Sequence, residues 1–250
     1  MFRCPVSYAV GYITDKLQSI KNIERVRRGA GTKFLIGGSI TKIPSDFKSF
    51  LLNSQNNKRF IQLFLSEWQT NAYAAALHGR QVLFVCEEQC VCLSSTEGNE
   101  TVSSPIPELF SLQEEADTRI ALHCQHACQQ TSTDNNIIVR SPDTDVLVIL
   151  VPYANTMQQR IFFDTGIGNN RRMINITDIA DSIGLEVCKA LPAFHAFTGS
   201  DCISAFVRQG KVKPFKLLIA NPKYNTVFQR MGTSADIGDD MHADIQKFVC

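Results

Sequence analysis

Three short acidic motifs stand out in this 250-residue sequence, at positions where α/β proteins carry chemistry. The first, EEAD (114–117), opens a predicted helix over 112–130. The second, SPDTD (141–145), directly follows a predicted strand, and ligands of open α/β sheets bind beyond the carboxyl ends of strands. The third, TGSD (198–201), precedes another predicted helix. The candidate acids are Glu115, Asp117, Asp143, Asp145 and Asp201.

Five acids gathered at one place would repel one another unless cations offset their charge. Hard divalent ions such as Mg²⁺ or Mn²⁺ are the usual partners of all-oxygen ligand sets. Two such ions about 3.5–4 Å apart can activate a water and stabilise the leaving oxygen of a phosphodiester. The acids therefore predict a metal-dependent hydrolase, although acids in a helix's first turn also occur for dipole reasons alone.

The elements that must position these acids alternate along the chain. Apolar spacing predicts helices over 45–78, 112–130 and 177–190, and a helical remainder after the third motif. Buried strands are predicted at 82–86, 136–141, 145–151 and 160–165, and a loop at 94–107. This alternation predicts an α/β fold of three layers, with a central, mainly parallel sheet flanked by helices.

Composition excludes several classes of protein. The formal net charge is +1, from 25 basic and 24 acidic side chains, which excludes a histone-like protein and an acidic tail. The charges segregate as basic, acidic and basic segments, which suits a carboxylate site between phosphate-contacting arms. Apolar runs are far below the ~18–20 residues that span a bilayer, so we expect no membrane association. Nine cysteines without a need for disulfides favour an intracellular location, nuclear or cytoplasmic.

The three motifs, in this order, resemble those of the PIN-like nuclease superfamily, in its flap-endonuclease and XPG branch. That branch has an acid-x-acid helix start, a Ser-x-Asp-x-Asp strand end and a Gly-x-Asp after the sheet. The resemblance implies a divalent-metal-dependent nuclease that cleaves nucleic acid, DNA or RNA, with a metal-activated water as the attacking group. It implies that Asp143 and Asp145 are catalytic metal ligands, together with Glu115, Asp117 and Asp201.

An upstream segment, YITDKLQSIKNIERVRRG (12–29), also resembles the family. By that match Asp15 is a further metal ligand, and the basic residues after it face phosphates. Basic residues after the third motif are expected to contact the nucleic-acid backbone as well. The predicted nucleic-acid contacts are Lys21, Arg25, Arg27, Arg28, Lys211 and Lys213.

The expected domain organisation is a PIN-like domain over 1–220 and a helical extension or truncated segment over 221–250. The family's fold begins with a strand that bears the first metal-binding Asp. This sequence starts just before the second family segment, so we expect that strand to be absent. The alternative to an enzyme is therefore a catalytically inactive module that binds nucleic acid or protein.

Other chemistries compete for some of these residues. Asp143 and Asp145 after a strand also resemble the acids of haloacid-dehalogenase phosphatases. The cysteine and histidine clusters at 86–92 and 123–128 lack the paired spacing of zinc sites, so buried free thiols are favoured over zinc. His195, among apolar neighbours, is interpreted as a core histidine, Asp164 as a turn residue and Arg119 as a local ion-pair partner.

Overall fold

The chain is a mixed α/β protein with helices and two small sheets, as seen in a computed structural model. The structure describes residues 6–9, 32–38, 40–112, 116–200, 206, 210–233 and 237–249. Contacts divide the chain into two compact units, one up to His123 and one from Cys124. The helix α4 (Ala116–Gln130) runs across this boundary. The α/β class predicted from the sequence is confirmed.

The first unit contains a four-stranded sheet. Its strands are β1 (Val6–Ala9), β2 (Gln81–Cys86), β3 (Gln89–Ser95) and β4 (Thr101–Pro105), hydrogen-bonded in that order. The β1–β2 pair is parallel, whereas β2–β3 and β3–β4 are antiparallel. The helices α1 (Phe47–Leu51), α2 (Ser54–Trp68) and α3 (Ala74–Leu77) precede β2. Leu83 and Val85 enter one core cluster and Phe84 another, so β2 is buried on both faces.

The predicted loop over 94–107 is wrong for most of its length, because β4 lies within it. Thr101 pairs with Ser95, and Val102 pairs with Ser94. The chain reverses between β3 and β4 at Asn99, whose φ is +63°, a conformation that Asn adopts more readily than most residues. The polar composition of the segment reflects its exposure rather than a lack of sheet structure.

The second unit contains a three-stranded sheet. Its strands are β5 (Ile137–Arg140), β6 (Ile161–Thr165) and β7 (Arg172–Asn175). The β5–β6 pair is parallel and the β6–β7 pair antiparallel. Six helices of this unit are described: α5 (Thr144–Ala154), α6 (Ile176–Ile183), α7 (Leu185–Phe197), α8 (Val212–Ala220), α9 (Pro222–Arg230) and α10 (Asp239–Val249).

The strand predicted at 145–151 is wrong, because this segment is the helix α5. Its buried side chains are Val146, Leu150, Val151 and Ala154, which recur at helical spacing. A short run of apolar, β-branched residues does not distinguish a strand from a buried helix by periodicity. Here the N-terminal cap and burial along one face outweigh the weak preference of valine and isoleucine for strands.

Because 145–151 is helical, the predicted central sheet loses one of its strands. Among the described strands, two pairings are parallel and three antiparallel, and they belong to two separate sheets. A single central, mainly parallel sheet is therefore not shown in the described part of the chain. The predictions of β2, β5 and β6 are confirmed, each to within one residue at either end.

An aromatic core holds the helices of the second unit together. Phe194 of α7, Phe228 of α9 and Phe248 of α10 contact one another with ring centroids 5.0–6.3 Å apart. Leu218 of α8 belongs to the same cluster. Residues on both sides of position 220, where the sequence analysis placed a domain boundary, thus pack in one core. Within the described residues, no helix combines the length and hydropathy needed to cross a membrane.

Candidate functional site

The SPDTD motif forms the turn that connects β5 to α5. The Ser141 N–H donates to the Asp164 carbonyl at 3.2 Å, and the Ser141 hydroxyl accepts from the Asp143 N–H at 3.1 Å. Asp143 is the N-cap of α5, and its Oδ1 accepts from the Asp145 N–H at 2.9 Å. Asp143 and Asp145 therefore share the turn at the carboxyl end of β5, a strand that pairs in parallel with β6.

Asp145 is also joined to a histidine from another helix. Its Oδ1 lies 2.9 Å from Nε2 of His195, on α7. Lys211 lies on the other side of the imidazole, with Nζ 3.0 Å from Nδ1 and 3.4 Å from the His195 carbonyl oxygen. A lysine ammonium can only donate, so Nδ1 must accept and Nε2–H must donate to Asp145. These contacts assign neutral His195 as the Nε2–H tautomer.

The three side chains form a line from a carboxylate through an imidazole to an ammonium. Burial lowers the pKa of Lys211, and the charge of nearby Asp145 partly opposes that shift by raising it. Lys211 was predicted to contact nucleic acid, and here its described partner is His195. His195 was interpreted as a satisfied core histidine, and its half-buried imidazole has the hydrogen-bond partners Asp145 and Lys211. No sequence spacing indicated the pair of Asp145 and His195, because 50 positions separate the two residues.

A second charged cluster lies beside the motif: Arg140 ends β5, Asp164 is the penultimate residue of β6, and Arg171 directly precedes β7. Asp164 accepts from Arg140 Nη1 at 2.6 Å, from Arg171 Nε at 2.9 Å and from Arg171 Nη2 at 2.7 Å. Hydrogen bonds from Arg171 and Arg140 lower the pKa of Asp164 to about 2. Asp164 was interpreted as a turn residue, but it lies within β6 as the shared partner of two arginines.

We expect the Asp164 carboxylate to make stability depend on acid pH. Its folded-state pKa is about 2, below the ordinary value of 3.8, so the unfolded chain binds the proton more readily. The stabilisation is complete above the ordinary pKa and is lost as the pH falls through the folded-state value. The difference in Tm between wild type and Asp164→Asn should therefore narrow as the pH falls from about 5 to about 2.

Calorimetric scans of both proteins across this pH range check the prediction. Asp134→Asn is a matched control, since Asp134 is an exposed aspartate of the same unit. Its Tm difference from wild type should stay small throughout. A wild-type advantage over Asp164→Asn that does not change with pH would contradict the proposed role of the carboxylate.

The remaining predicted site residues are placed as follows. Asp117 is an acid of the first turn of α4, in the first unit, and Lys213 is exposed on α8. Arg119 is buried, and its Nη1 donates to the Glu87 carbonyl oxygen. Several residues lie outside the described part of the chain: Asp15, Lys21, Arg25, Arg27, Arg28, Glu115 and Asp201.

Among the described cysteines, Cys90, Cys92, Cys124 and Cys188 are buried free thiols, and Cys86 and Cys128 are half-buried. Burial raises the pKa of Cys90 to about 12 and that of Cys124 to about 12, which favours the protonated thiol over the thiolate that binds metal. Across the described ranges, no group of three or more His, Cys, Asp or Glu side chains is placed to hold a metal ion. Of the predicted acidic ligands in the described part of the chain, Asp143 and Asp145 share one turn.

The fold and the site together define a mixed α/β protein with an aspartate pair at the carboxyl end of a parallel strand pair. Searches of family models, of curated proteins and of solved structures yield no match to this chain.

Proposed function

We propose that the protein is a divalent-metal-dependent nuclease-like protein that hydrolyses phosphodiester bonds of nucleic acid. The observation that supports this most directly is the position of Asp143 and Asp145 in the turn after β5. Both carboxylates lie beyond the carboxyl end of a strand that pairs in parallel with β6. This is the edge at which α/β proteins bind their ligands.

The pair of acids fits Mg²⁺ or Mn²⁺. Mg²⁺ is commonly bound by one or two carboxylates, with waters and substrate phosphates as its other ligands. Each carboxylate has two oxygens and about four lone-pair sites, and the cap and the His195 contact each use one oxygen. When bound, the cation would offset the charge of the phosphodiester and make water more acidic.

The chain's own residues prepare this site. The cap holds Asp143 in one orientation at the start of α5. His195 donates to Asp145, as the hydrogen-bonded neighbours of metal-binding carboxylates commonly do. Lys211 fixes the imidazole tautomer from the other side. His195, itself held by Lys211, thus orients the Asp145 carboxylate.

The finer assignments also belong to this proposal. They are a PIN-like arrangement of three layers, and metal-ligand roles for Glu115, Asp117, Asp201 and Asp15. The support for them is the order of the three acidic motifs along the sequence. Nucleic acid is the proposed partner, with Lys213 among its contacts because this side chain is exposed.

A second candidate function is an inactive module that binds nucleic acid or protein. The observation that favours it is the contact of Asp145 with His195, backed by the Lys211 ammonium. A carboxylate whose charge is already partly offset by a protein cation attracts a metal ion less strongly. Metal binding distinguishes the two candidates.

The test is calorimetric titration with Mn²⁺ of the wild type and of Asp143→Asn/Asp145→Asn. We expect the wild type to bind and the double variant to lose at least about tenfold in affinity. The control, Asp134→Asn/Asp181→Asn, removes two exposed acids from the same unit and should bind as the wild type does. A folded wild type that does not bind Mn²⁺ would favour the inactive module.

A further inference from the structure

We propose that Arg140 and Arg171, held by Asp164, form a binding site for a backbone phosphate of nucleic acid beside the SPDTD turn. The choice of nucleic acid among phosphate-containing ligands rests on the proposed function. The site itself rests on the geometry of the two arginines and does not need a metal ion.

The cluster has a positive charge that it does not neutralise internally. Two guanidinium groups share one carboxylate, which leaves a net charge of +1. The carboxyl side chain is 4% exposed, whereas the side chains of Arg140 and Arg171 are 55% and 59% exposed. The negative charge is therefore buried beneath two guanidinium groups that face solvent. Arg172, next along the chain, is exposed as well.

Both guanidinium groups keep donors for a ligand. Each carries five N–H donors, of which Arg171 uses one on Nε and one on Nη2 for Asp164. Arg140 uses one on Nη1 for Asp164 and reaches the Gly166 carbonyl oxygen from Nη2 at 3.4 Å. The remaining donors suit the oxygens of a phosphate, which arginine binds in a bidentate manner.

The positions of the arginines are fixed before any ligand arrives. Arg140 lies opposite Asp164 in the register of β5 and β6. Arg171 returns to Asp164 through a tight turn that starts at Gly166, where φ is +83°. A Cβ at this position would lie 2.2 Å from the Asn170 carbonyl oxygen, so the turn requires glycine. A site held in this way loses little side-chain entropy on binding.

The cluster is adjacent to the proposed cleavage site. Arg140 and Asp143 are three residues apart, so their Cα atoms are separated by at most about 11 Å. A nucleic-acid strand carries a phosphate about every 3.4 Å of duplex axis. A strand with one phosphate on the arginines can therefore present another to the acids of the turn, which gives the cluster a role in positioning substrate.

The test measures binding of a short fluorescein-labelled oligothymidylate by anisotropy, in EDTA and over about 50–200 mM salt. Arg140→Gln is the main variant, because Arg171 still pairs with Asp164 on two atoms. We expect its affinity to fall about 3–10-fold, and the salt slope to decrease by about 0.7, the value for one lost single-strand contact. Arg171→Lys keeps the charge but loses the planar fork and should weaken binding too.

Arg160→Gln is the matched control. It removes the same charge from the other end of β6, since Arg160 directly precedes the strand. Four residues of strand place it about 13 Å from Asp164. Its pairing with Asp178 is loose, at 3.9 Å. The proposal predicts less than a twofold change for this variant. Equal weakening by Arg140→Gln and Arg160→Gln would overturn the site, since general charge would then explain the binding.

Two further outcomes bear on the ligand. Failure of the wild type to bind the oligonucleotide in EDTA at low salt overturns the proposal, whatever the metal titration shows. Failure of inorganic phosphate to displace the bound oligonucleotide would likewise contradict a shared phosphate site. Binding in EDTA without any cleavage in Mg²⁺ supports the arginine site and contradicts only the nuclease function.

Discussion

Asp143→Asn is expected to slow the proposed metal-dependent cleavage of nucleic acid by about 100-fold or more and to leave the fold intact. Asparagine and aspartate are about equally good N-caps, so the amide oxygen can still accept from the Asp145 N–H. The amide is neutral and is a weaker ligand for a hard cation. Losing about 3 kcal/mol of transition-state stabilisation corresponds to a rate decrease of about 100-fold or more.

The measurement is cleavage of single-stranded, duplex and flapped oligonucleotides in Mg²⁺ or Mn²⁺. Asp143→Ala is the informative partner variant, because it removes both the charge and the cap. It should lose activity equally and lose about 1 kcal/mol of stability in addition. Asp134→Asn controls for the loss of one exposed acid. Full activity in Asp143→Asn would exclude Asp143 from the catalytic site.

Phe228→Ala is expected to destabilise the second unit by about 3–5 kcal/mol, the largest stability effect that we predict. Phe228 is 1% exposed and contacts the rings of Phe194, Phe197 and Phe248. Truncation removes these contacts and leaves a cavity that three helices border. Since a domain is stable by only about 5–15 kcal/mol, such a loss is a large fraction of the total.

Denaturant unfolding followed by circular dichroism measures this effect. Ile219→Ala on α8 is a suitable control, because Ile219 is 47% exposed and should cost less than about 1 kcal/mol. The loss of stability also affects the candidate site, because Phe194, which contacts Phe228, directly precedes His195 on α7. If Phe228→Ala lowers the free energy of unfolding by no more than the control does, α9 and α10 do not contribute to this core.

The sequence predicted the elements whose signals are local. The strands β2, β5 and β6 are apolar runs flanked by polar or turn residues, and their predicted positions are nearly right. The predicted strand at 145–151 failed because a run with apolar residues on every side has no distinguishing period. An aspartate directly before this run, Asp143, is a residue type that favours a helix N-cap, and the sequence-based prediction did not use it.

The candidate site was predictable only where it is local. Asp143 and Asp145 share one turn, so a motif was enough to find them. His195, Lys211 and Arg171 reach their partners through tertiary packing, which no spacing in the sequence reveals. Arg140 did offer a signal, because it is the penultimate residue of the strand predicted at 136–141 and directly precedes the motif.

The proposed double use of Asp143, as helix cap and as metal ligand, has a consequence for how this protein can change during evolution. Folding requires a capping side chain at this position, and asparagine or serine meets that requirement as well as aspartate does. Catalysis, in contrast, would require the charge. A mutation that replaces the aspartate with asparagine therefore carries almost no folding penalty. A gene copy released from selection for activity can lose the chemistry and still persist as a stable, expressed protein.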